Sequence, residues 1–523
     1  MDRVSNALPG RGGRCLTVVL LAGVLSGCAA MGEALTPQDG ADVAMPGQFA
    51  YAAEAAGASG LRKAQGAHDT AEQFWSGFRS DDLSSLIRRA ELGSRDITVA
   101  IARLRQAEAG ADEAFGGLLP SGGLGGTQTT FKASANTAGL PAGVSMPVRQ
   151  QRKVGLNASW ELDFWGKASS NFEAASNRAD AAAFAVAATR LAVISETALS
   201  YVQILSLRDR LALGRENLTL ARKVQDNVKA RVEAGSATQI MLAQQETVVL
   251  QQEATVLRLQ RTLAQEEVTL GLLIGAAPGE IRITRGSLGK LAIPKLGVGA
   301  PADLLRRRPD VRQAEELVAA SANNVASARA AMLPSLTLSL QKGFESLTTG
   351  ALFSGAAGVF SVAGQLTQPI FDAPRLLAQL EGTQARRQEL IATYQQAVMT
   401  SLSDVEKALI AYGGLAREEK VAGRATAAAR RAYELTLEQL DAGQVDMTTV
   451  LNTQRDYFTA VDSLQQVRLA RFQSAIALYR ALGGGWTDED VARLIAEREA
   501  IDAAAAPASK TVAIAPGSAG AVN

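Results

Sequence analysis

The chain has 523 residues, with 53 lysines and arginines against 52 aspartates and glutamates, and a formal net charge of +1. This balance leaves no basic surplus for a nucleic-acid partner. One histidine and two cysteines are too few for a histidine-based metal cluster or a conventional catalytic triad. We therefore expect no nucleic-acid partner, no metal and no cofactor, and an enzyme is the least favoured class of function.

The N-terminus has the pattern of a secretory signal peptide. Arg3, Arg11 and Arg14 precede an apolar run over residues 15–25, and small residues follow it. The run is too short to cross a bilayer, which takes about 20 apolar residues. Residues 1–27 are therefore predicted to be removed from the mature chain.

The predicted signal peptide ends at a cysteine. Leu25, Ser26 and Gly27 precede Cys28, and this sequence resembles the lipobox of bacterial lipoproteins. The resemblance implies that Cys28 carries a covalent lipid, an S-diacylglycerol and an N-acyl group, and that Ala29 directs the chain to the outer membrane. An ordinary signal peptide that happens to contain a cysteine is the alternative. Once Cys28 is lipidated, the mature chain has no thiol left for a disulfide.

Two proline-free blocks predict very long helices. Proline is absent from residues 148–277 and 375–506, and it disfavours a helix interior by about 3 kcal/mol. Both blocks are rich in alanine, glutamine, glutamate, leucine and arginine, and their apolar residues recur at three- and four-residue spacing. We predict helices over about 169–234 and 375–442, each roughly 100 Å long.

The two blocks are copies of one another. The segment EAGSATQIMLAQQE from Glu233 aligns with DAGQVDMTTVLNTQ from Asp441, 208 residues later, and such a period predicts two similar halves. Shorter helices over about 82–115 and 237–274, roughly 51 and 57 Å long, nearly match one long helix when stacked end to end. The predicted domains are a signal peptide at 1–27, a lipidated N-terminal segment at 28–80, a first repeat at 81–290, a second repeat at 291–486, and a C-terminal helix and disordered tail at 487–523.

Each half also contains two predicted strands before its long helix. The segments VGLNASWELDF from Val154 and FSVAGQLTQPI from Phe360 alternate between apolar and other side chains. Their weaker partners are SLTLSL from Ser335 and a run rich in glycine and threonine at 118–130. The alternation fits a half-buried soluble sheet, or a membrane sheet with lipid on one face and water on the other.

Four strands cannot close a barrel, and an open sheet edge is not allowed in lipid. If the sheet lies in a membrane, the chain must therefore form oligomers. A dimer would give eight strands with a filled interior, and a trimer would give twelve strands with a passage. The trimer is favoured if the protein is a conduit.

Four longer motifs carry a family resemblance. They are DLLRRRPDVRQAE from Asp303, ARAAMLPSLTL from Ala328, WELDFWGK from Trp160 and LYRALGGGW from Leu478. Their order and spacing resemble the TolC-type outer-membrane factors, in the NodT/OprM-like efflux lipoprotein branch. The resemblance implies a mainly α fold with a small β part, built from two repeats of long coiled-coil helices plus two strands each. It further implies a homotrimer that forms a 12-stranded outer-membrane β-barrel and a periplasmic α-helical tunnel.

The same resemblance implies the function and the partners. The chain would be the exit duct of a tripartite efflux system of the RND type, receiving small molecules from an inner-membrane pump through a periplasmic adaptor, a membrane fusion protein. It would be lipid-anchored in the outer membrane of a Gram-negative bacterium and extend into the periplasm. The alternatives are the duct of a type I protein secretion system and a lipid-anchored coiled-coil scaffold, which would leave the four strands without a role. The exported compounds are not predicted.

The turns after the long helices are the predicted periplasmic tip. Gly235 and Gly443 fit helix ends, because glycine takes the left-handed conformation there. Ser236 and Gln239 fit a capping box that restarts a helix. The resemblance implies that Gly235, Ser236, Gly443 and Gln444 contact the adaptor. The alternative is that both glycines only make turns.

The resemblance also implies a gate just past the second turn, where relatives place a bulky apolar residue and an aspartate. Here Thr448 and Asn452 hold those positions, and Met241 is taken as the first-half counterpart of the aspartate. Three inward asparagines attract cations less than three aspartates would. We therefore predict a constriction that is less cation-selective and opens more easily. Asp446 is either a helix N-cap or a selectivity residue.

Overall fold

The computed structural model describes residues 45–59, 62–63, 71–134, 141, 145–294 and 296–505. The predictions for the signal peptide, for Leu25, Ser26, Gly27 and Cys28, and for the tail past residue 505 lie outside these residues. The described elements that precede the first repeat are helix α1 (Ala52–Ser59), strand β1 (Arg62–Lys63) and helix α2 (Ala71–Ser76).

The first repeat runs from a pair of helices through a strand hairpin to two longer helices. Its elements are α3 (Asp81–Gly93), α4 (Arg95–Gly116), β2 (Ser121–Lys132), β3 (Val148–Leu162), α5 (Lys167–Glu233) and α6 (Gln239–Leu273). The prediction of one helix over about 82–115 is wrong, because the backbone at Ser94 is extended, with ψ 131°.

The second repeat follows the same succession of helix, two strands, long helix and shorter helix, as a duplication predicts. Its elements are β4 (Gly297–Val298), α7 (Leu304–Arg307), α8 (Pro309–Ala330), β5 (Ser335–Ser346), β6 (Gly358–Thr367), α9 (Ala373–Asp441) and α10 (Met447–Ala481), and helix α11 (Asp488–Ala505) follows. Both predicted long helices begin and end within two residues of the observed bounds.

Strands β2, β3, β5 and β6 form one antiparallel sheet in the order β2-β3-β5-β6, so β2 and β6 are its edges. The short strand β4 pairs in parallel with β1. Leu156 of β3 lies opposite Leu124 on one side and Lys342 on the other. Because paired residues point to the same side of a sheet and neighbours along a strand alternate, the register defines two faces. The apolar face carries the even-numbered strand residues, among them Leu124, Leu156, Trp160, Leu338, Leu340, Val362 and Leu366. The polar face carries the odd-numbered ones, among them Ser121, Asn157, Ser159, Gln341, Ser361 and Gln365.

Two glycines bring the central strands unusually close together. Gly155 of β3 lies opposite Gly343 of β5. A Cβ atom on Gly343 would lie 2.3 Å from the carbonyl oxygen of Val154 and 2.5 Å from the Cα of Gly155. Backbone atoms cannot rotate away as side-chain atoms can, so glycine is required where these two strands approach each other.

The largest hydrophobic cluster joins the short N-terminal helices to the helical body, where α2 and α3 pack against α5 and α10. Its fully buried members include Phe78, Leu83, Tyr201, Leu205 and Ile476. The rings of Phe74 and Tyr479 stack with their centroids 3.9 Å apart. Each large apolar side chain buried in this way contributes about 1.5–3 kcal/mol to folding.

Two of the sequence motifs meet in the structure and have a structural role. Pro309 is the first residue of α8, as the predicted helix start requires. The guanidinium of Arg308 donates to Asp310 at 3.0 and 2.7 Å and to Asp404 of α9 at 3.0 Å. Burial lowers the pKa of Arg308, but the hydrogen bonds and charges of Asp310 and then Asp404 outweigh burial, so the pKa lies above its ordinary value. Trp486 Nε1 donates to the carbonyl oxygen of Arg307 at 2.6 Å.

Helix α11 makes hydrogen bonds to the backbone where α3 ends and α4 begins. The buried guanidinium of Arg498 donates to the carbonyl oxygens of Glu91, Leu92 and Ser94 at 2.9, 3.0 and 2.7 Å. The carbonyls of Glu91 and Leu92 lie in the last turn of α3, where the regular bonds of the helix are missing, whereas that of Ser94 also accepts from the backbone N–H and the hydroxyl of Thr98. The C-terminal helix therefore supplies hydrogen bonds that the end of α3 lacks.

Candidate functional site

The two long helices end in the same kind of turn. Gly235 follows α5 with φ 74°, and Gly443 follows α9 with φ 69°. An L side chain is strained at such a φ and glycine is not, while the space around both positions is open. The prediction that both glycines make turns is confirmed. Ser236 and Gln444 beside them are exposed, and their contact with an adaptor stays a prediction.

The capping box predicted at Ser236 is wrong. The hydroxyl of Ser236 donates to the carbonyl oxygen of Arg231 at 3.1 Å, so it belongs to the end of α5. The N-cap of α6 is Thr238, whose hydroxyl accepts from the backbone N–H of Met241 at 3.3 Å. The turn therefore finishes two residues later than the sequence pattern indicated.

Asp446 is the N-cap of α10, the first of its two predicted roles. Its Oδ1 accepts from the backbone N–H of Thr449 at 2.9 Å and from the Thr449 hydroxyl at 2.6 Å. The hydroxyl bond and then the backbone bond hold the pKa of Asp446 below its ordinary value, because both stabilise the ionised carboxylate.

The positions of the two N-caps correct the pairing of gate residues between the halves. Thr238 and Asp446 are 208 residues apart, so Met241 is equivalent to Thr449 and not to Asn452. Met241 is half-buried and packs against the tip cluster, which consists of Val228, Tyr433, Met447 and Val450. In one protomer, Met241 therefore joins the helices at the tip by packing.

Thr448 and Asn452 lie four residues apart on α10, and both side chains are exposed. Residues at this spacing share one face of a helix. Asp446 is also exposed, one residue before that helix begins. The structure therefore brings three of the four predicted gate residues, Asp446, Thr448 and Asn452, to the free surface of the tip, and their role as a constriction stays a prediction.

A cavity of about 410 Å³ lies inside the tip, between α5, α9 and the start of α10. Its apolar walls include Val224, Val228, Met241, Tyr433, Leu437 and Met447. The second and first repeats therefore touch at the tip without filling the space between them. Within the described ranges, no group of three or more His, Cys, Asp or Glu side chains is placed to hold a metal ion.

Two buried glutamines make polar contacts between helices that were not predicted from the sequence. Gln245 of α6 is fully buried, and its amide donates to the carbonyl oxygen of Ala221 in α5 at 2.7 Å. Gln454 of α10 is also fully buried and donates to the hydroxyl of Tyr433 at 3.1 Å. A glutamine at a position where the helical period requires an apolar residue is the signal that could have identified them.

Comparison with known proteins identifies the family. The sequence profile of the outer membrane efflux proteins matches residues 86–276 and 300–484, which is one match in each repeat. The chain belongs to the outer membrane efflux protein family. The pyoverdine export outer membrane protein OpmQ of Pseudomonas aeruginosa is 35% identical over 468 residues, covering 88% of this chain and 95% of OpmQ. The toluene efflux pump outer membrane protein TtgF of Pseudomonas putida is 28% identical, covering 90% of this chain and 96% of TtgF.

Solved structures agree with this assignment. The outer-membrane channel OprN superimposes with a TM-score of 0.78 at 26% identity, covering 85% of this chain and 98% of the OprN chain. The TolC-like fold predicted from the sequence motifs is confirmed, and so is a function in efflux across the outer membrane.

Proposed function

We propose that three copies of this chain form the exit channel of a tripartite efflux system. The observation that carries the proposal is a sheet with one apolar face, one polar face and two free edges. Pairing β2 of one copy with β6 of the next closes twelve strands, and no edge is left in lipid. The polar face then lines a water-filled passage, and the apolar face contacts lipid.

The helical part continues this passage toward the periplasm. Helices α5 and α9 contain 67 and 69 residues, so each is roughly 100 Å long at 1.5 Å per residue. We propose that the six long helices of a trimer form the tunnel. An inner-membrane pump of the RND type delivers substrate through an adaptor, which contacts the exposed turns at Gly235, Ser236, Gly443 and Gln444.

A lipid on Cys28 would tie the channel to the membrane. The amides of Ala50 and Tyr51, just before α1, donate to the Glu406 carboxylate of α9 at 2.7 and 3.2 Å. The 21 residues between Cys28 and Ala50 reach at most about 70–80 Å when extended. This reach is enough to connect the helical body to an anchor in the outer membrane.

The transported compounds are proposed to be small organic molecules. The relatives named above are a pyoverdine export protein and a toluene efflux pump protein, so pyoverdine and toluene are the first compounds to test.

The test is the accumulation of ethidium in cells with and without the gene. Deletion should raise accumulation, and the wild-type chain should restore the low level. A Cys28→Ala chain, with its export verified, is labelled with radioactive palmitate beside the wild type, and only the wild type should take up label. Unchanged accumulation in cells that express an adaptor and a pump would overturn the efflux role and indicate secretion or a scaffold.

A further inference from the structure

The apolar face of the sheet has a limited height. In β3 the apolar rows run from Leu162 to Val154, about 27 Å along the strand at 3.3–3.4 Å per residue. A strand tilt of about 40° reduces this to about 21 Å, close to the apolar band of about 25 Å in outer-membrane barrels. Polar residues follow on the same face, where Arg152 lies opposite Gln128 and Ser346.

Three cations lie on the apolar face toward one end of the band. Lys342 lies opposite Leu156 and Phe360, two rows inside the row of Arg152. Lys132 lies further out, opposite Val148. The side chains of Lys132 and Lys342 are exposed, and that of Arg152 is half-buried.

No carboxylate neutralises these cations among the described residues. The strands contain two acidic residues, Glu161 and Glu345, and the register places both on the polar face. Glu345 pairs there with Lys153 at 2.9 Å, and Glu161 pairs with Lys167 at 2.5 Å. The positive charge on the apolar face therefore faces away from the acids of the sheet.

These cations mark the end of the sheet that points away from the helices. Strand β2 begins five residues after α4, and β3 ends five residues before α5, so the helices join the opposite end. Lys132 and Arg152 lie near the β2–β3 hairpin. With the helices in the periplasm, as the proposed function requires, this hairpin end lies at the outer leaflet.

We propose that Lys132, Arg152 and Lys342 form a binding surface for the phosphate groups of lipid A, the phosphorylated glycolipid of the outer leaflet; this rests on the proposed function. The ammonium of a lipid-facing lysine reaches from the apolar band toward the headgroups. A guanidinium presents parallel N–H donors to phosphate oxygens. Within the protein Arg152 donates to Gln128 at 3.1 Å, to the carbonyl oxygen of Leu347 at 3.1 Å and to Gln150 at 2.5 Å. These three bonds fix the guanidinium and leave two of its five N–H groups for a phosphate.

The test measures binding of lipid A to the purified full-length protein in detergent, by native mass spectrometry and by the shift of the melting temperature. Lipid A with two phosphates should bind at least about tenfold more tightly than its dephosphorylated form, because each cation near an anionic surface strengthens lipid binding. The double variant Lys132→Gln/Lys342→Gln should lose most of this preference. Neither lysine makes an ion pair with a described residue, so the variant should fold.

The matched control is Arg149→Gln/Lys153→Gln, which removes the same charge from the polar face and should keep the preference. Equal binding of both forms of lipid A, or the same loss in both double variants, would overturn the proposal. Stabilisation by inorganic phosphate alone to the same extent would also overturn it, since the source would then be free phosphate. Ethidium accumulation and outer-membrane fractionation of the wild type separate this failure from a failure of the proposed function.

Discussion

Arg210 of α5 and Asp462 of α10 form a bidentate ion pair, with Nε 2.7 Å from Oδ1 and a terminal nitrogen 3.0 Å from Oδ2. Arg210 lies 25 residues before Gly235, about 37 Å from the tip along the helix. The pair therefore fastens the first repeat to the second between the hydrophobic body and the tip cluster. Glu196 and Arg480, 3.5 Å apart, join the same two helices nearer the body.

We predict that Asp462→Asn opens the channel more often. The substitution removes the negative charge of the Arg210–Asp462 ion pair. Because the aspartate is 43% exposed, the ion pair contributes at most about 1 kcal/mol to stability. Single-channel recordings should show an open probability up to about fivefold higher than that of the wild type. The control is Asp456→Asn on the same helix, whose carboxylate is 4.0 Å from its neighbour Arg455 and 70% exposed. Equal behaviour of both variants would contradict a fastening role for Arg210 and Asp462.

The predicted gate residues Asn452 and Asp446 can be tested by measuring the ion selectivity of the channel. A ring of three Asn452 side chains carries no charge, so the wild-type channel should show weak cation preference. Asn452→Asp should raise the ratio of cation to anion permeability several-fold, because three carboxylates would face the ions. Asp446→Asn should change selectivity less, since Asp446 is the N-cap of α10 and lies six residues before Asn452. Strong cation preference in the wild type, lost in Asp446→Asn, would show that Asp446 sets selectivity.

The two N-caps predict a difference in acid sensitivity between α6 and α10. The folded-state pKa of Asp446 lies below the ordinary 3.8, so its stabilising effect is fully present above pH 3.8 and is lost as the pH falls through the lower, folded-state value. Thr238 caps α6 with a hydroxyl, which does not titrate in this range. Hydrogen-exchange protection of the Thr449 amide should therefore fall as the pH drops below about 3.8, while that of Met241 stays constant. A parallel fall at both amides would indicate general loosening of the tip.

The sequence predicted the long helices within two residues because proline-free composition and apolar period both act locally. The kink at Ser94 could not be predicted in this way, since Arg498, which bonds the carbonyls on both sides of it, lies 404 residues after Ser94. Strand alternation identified β3 and β6 well. Alternation from SLTLSL already places Lys342 on the same face as Leu338 and Leu340. The pairing of Lys342 with Leu156 of β3 needed the register of the sheet.

At the tip both turns were predicted correctly from the sequence, but the N-cap of α6 was assigned to the wrong residue. Ser236 and Thr238 both carry a hydroxyl that can cap a helix. The choice depends on how the turn closes, since the amides of Ser236 and Ala237 both donate to the carbonyl oxygen of Arg231, at 2.8 and 3.1 Å. Local composition does not determine that closure, so the N-cap moved to Thr238.

Arg308→Lys tests whether the arginine motif before α8 is structural. Lysine keeps the charge but cannot reproduce the paired bonds to Asp310 together with the bond to Asp404. Loss of these bonds should cost about 1–3 kcal/mol of stability, visible as a lower melting temperature of the purified protein. The neighbouring exposed Arg306 gives the control, Arg306→Lys, which should melt like the wild type. Normal melting of Arg308→Lys combined with impaired efflux would instead indicate a direct functional role.

The close approach of Gly155 and Gly343 leads to a direct prediction about the sheet. A methyl group at position 343 would lie 2.3 Å from the Val154 carbonyl oxygen, well inside contact distance, and relief requires β3 and β5 to separate. Gly343→Ala should therefore prevent most of the protein from forming the trimer that survives mild detergent, seen by semi-native electrophoresis of outer-membrane fractions. Gly350→Ala, in the β5–β6 connection where a Cβ meets no atom within 4 Å, should assemble normally. If Gly343→Ala assembles as well as Gly350→Ala, β3 and β5 can separate at Gly155 and Gly343 without loss of the sheet. Close packing of these two glycines would then not be required for the sheet to form.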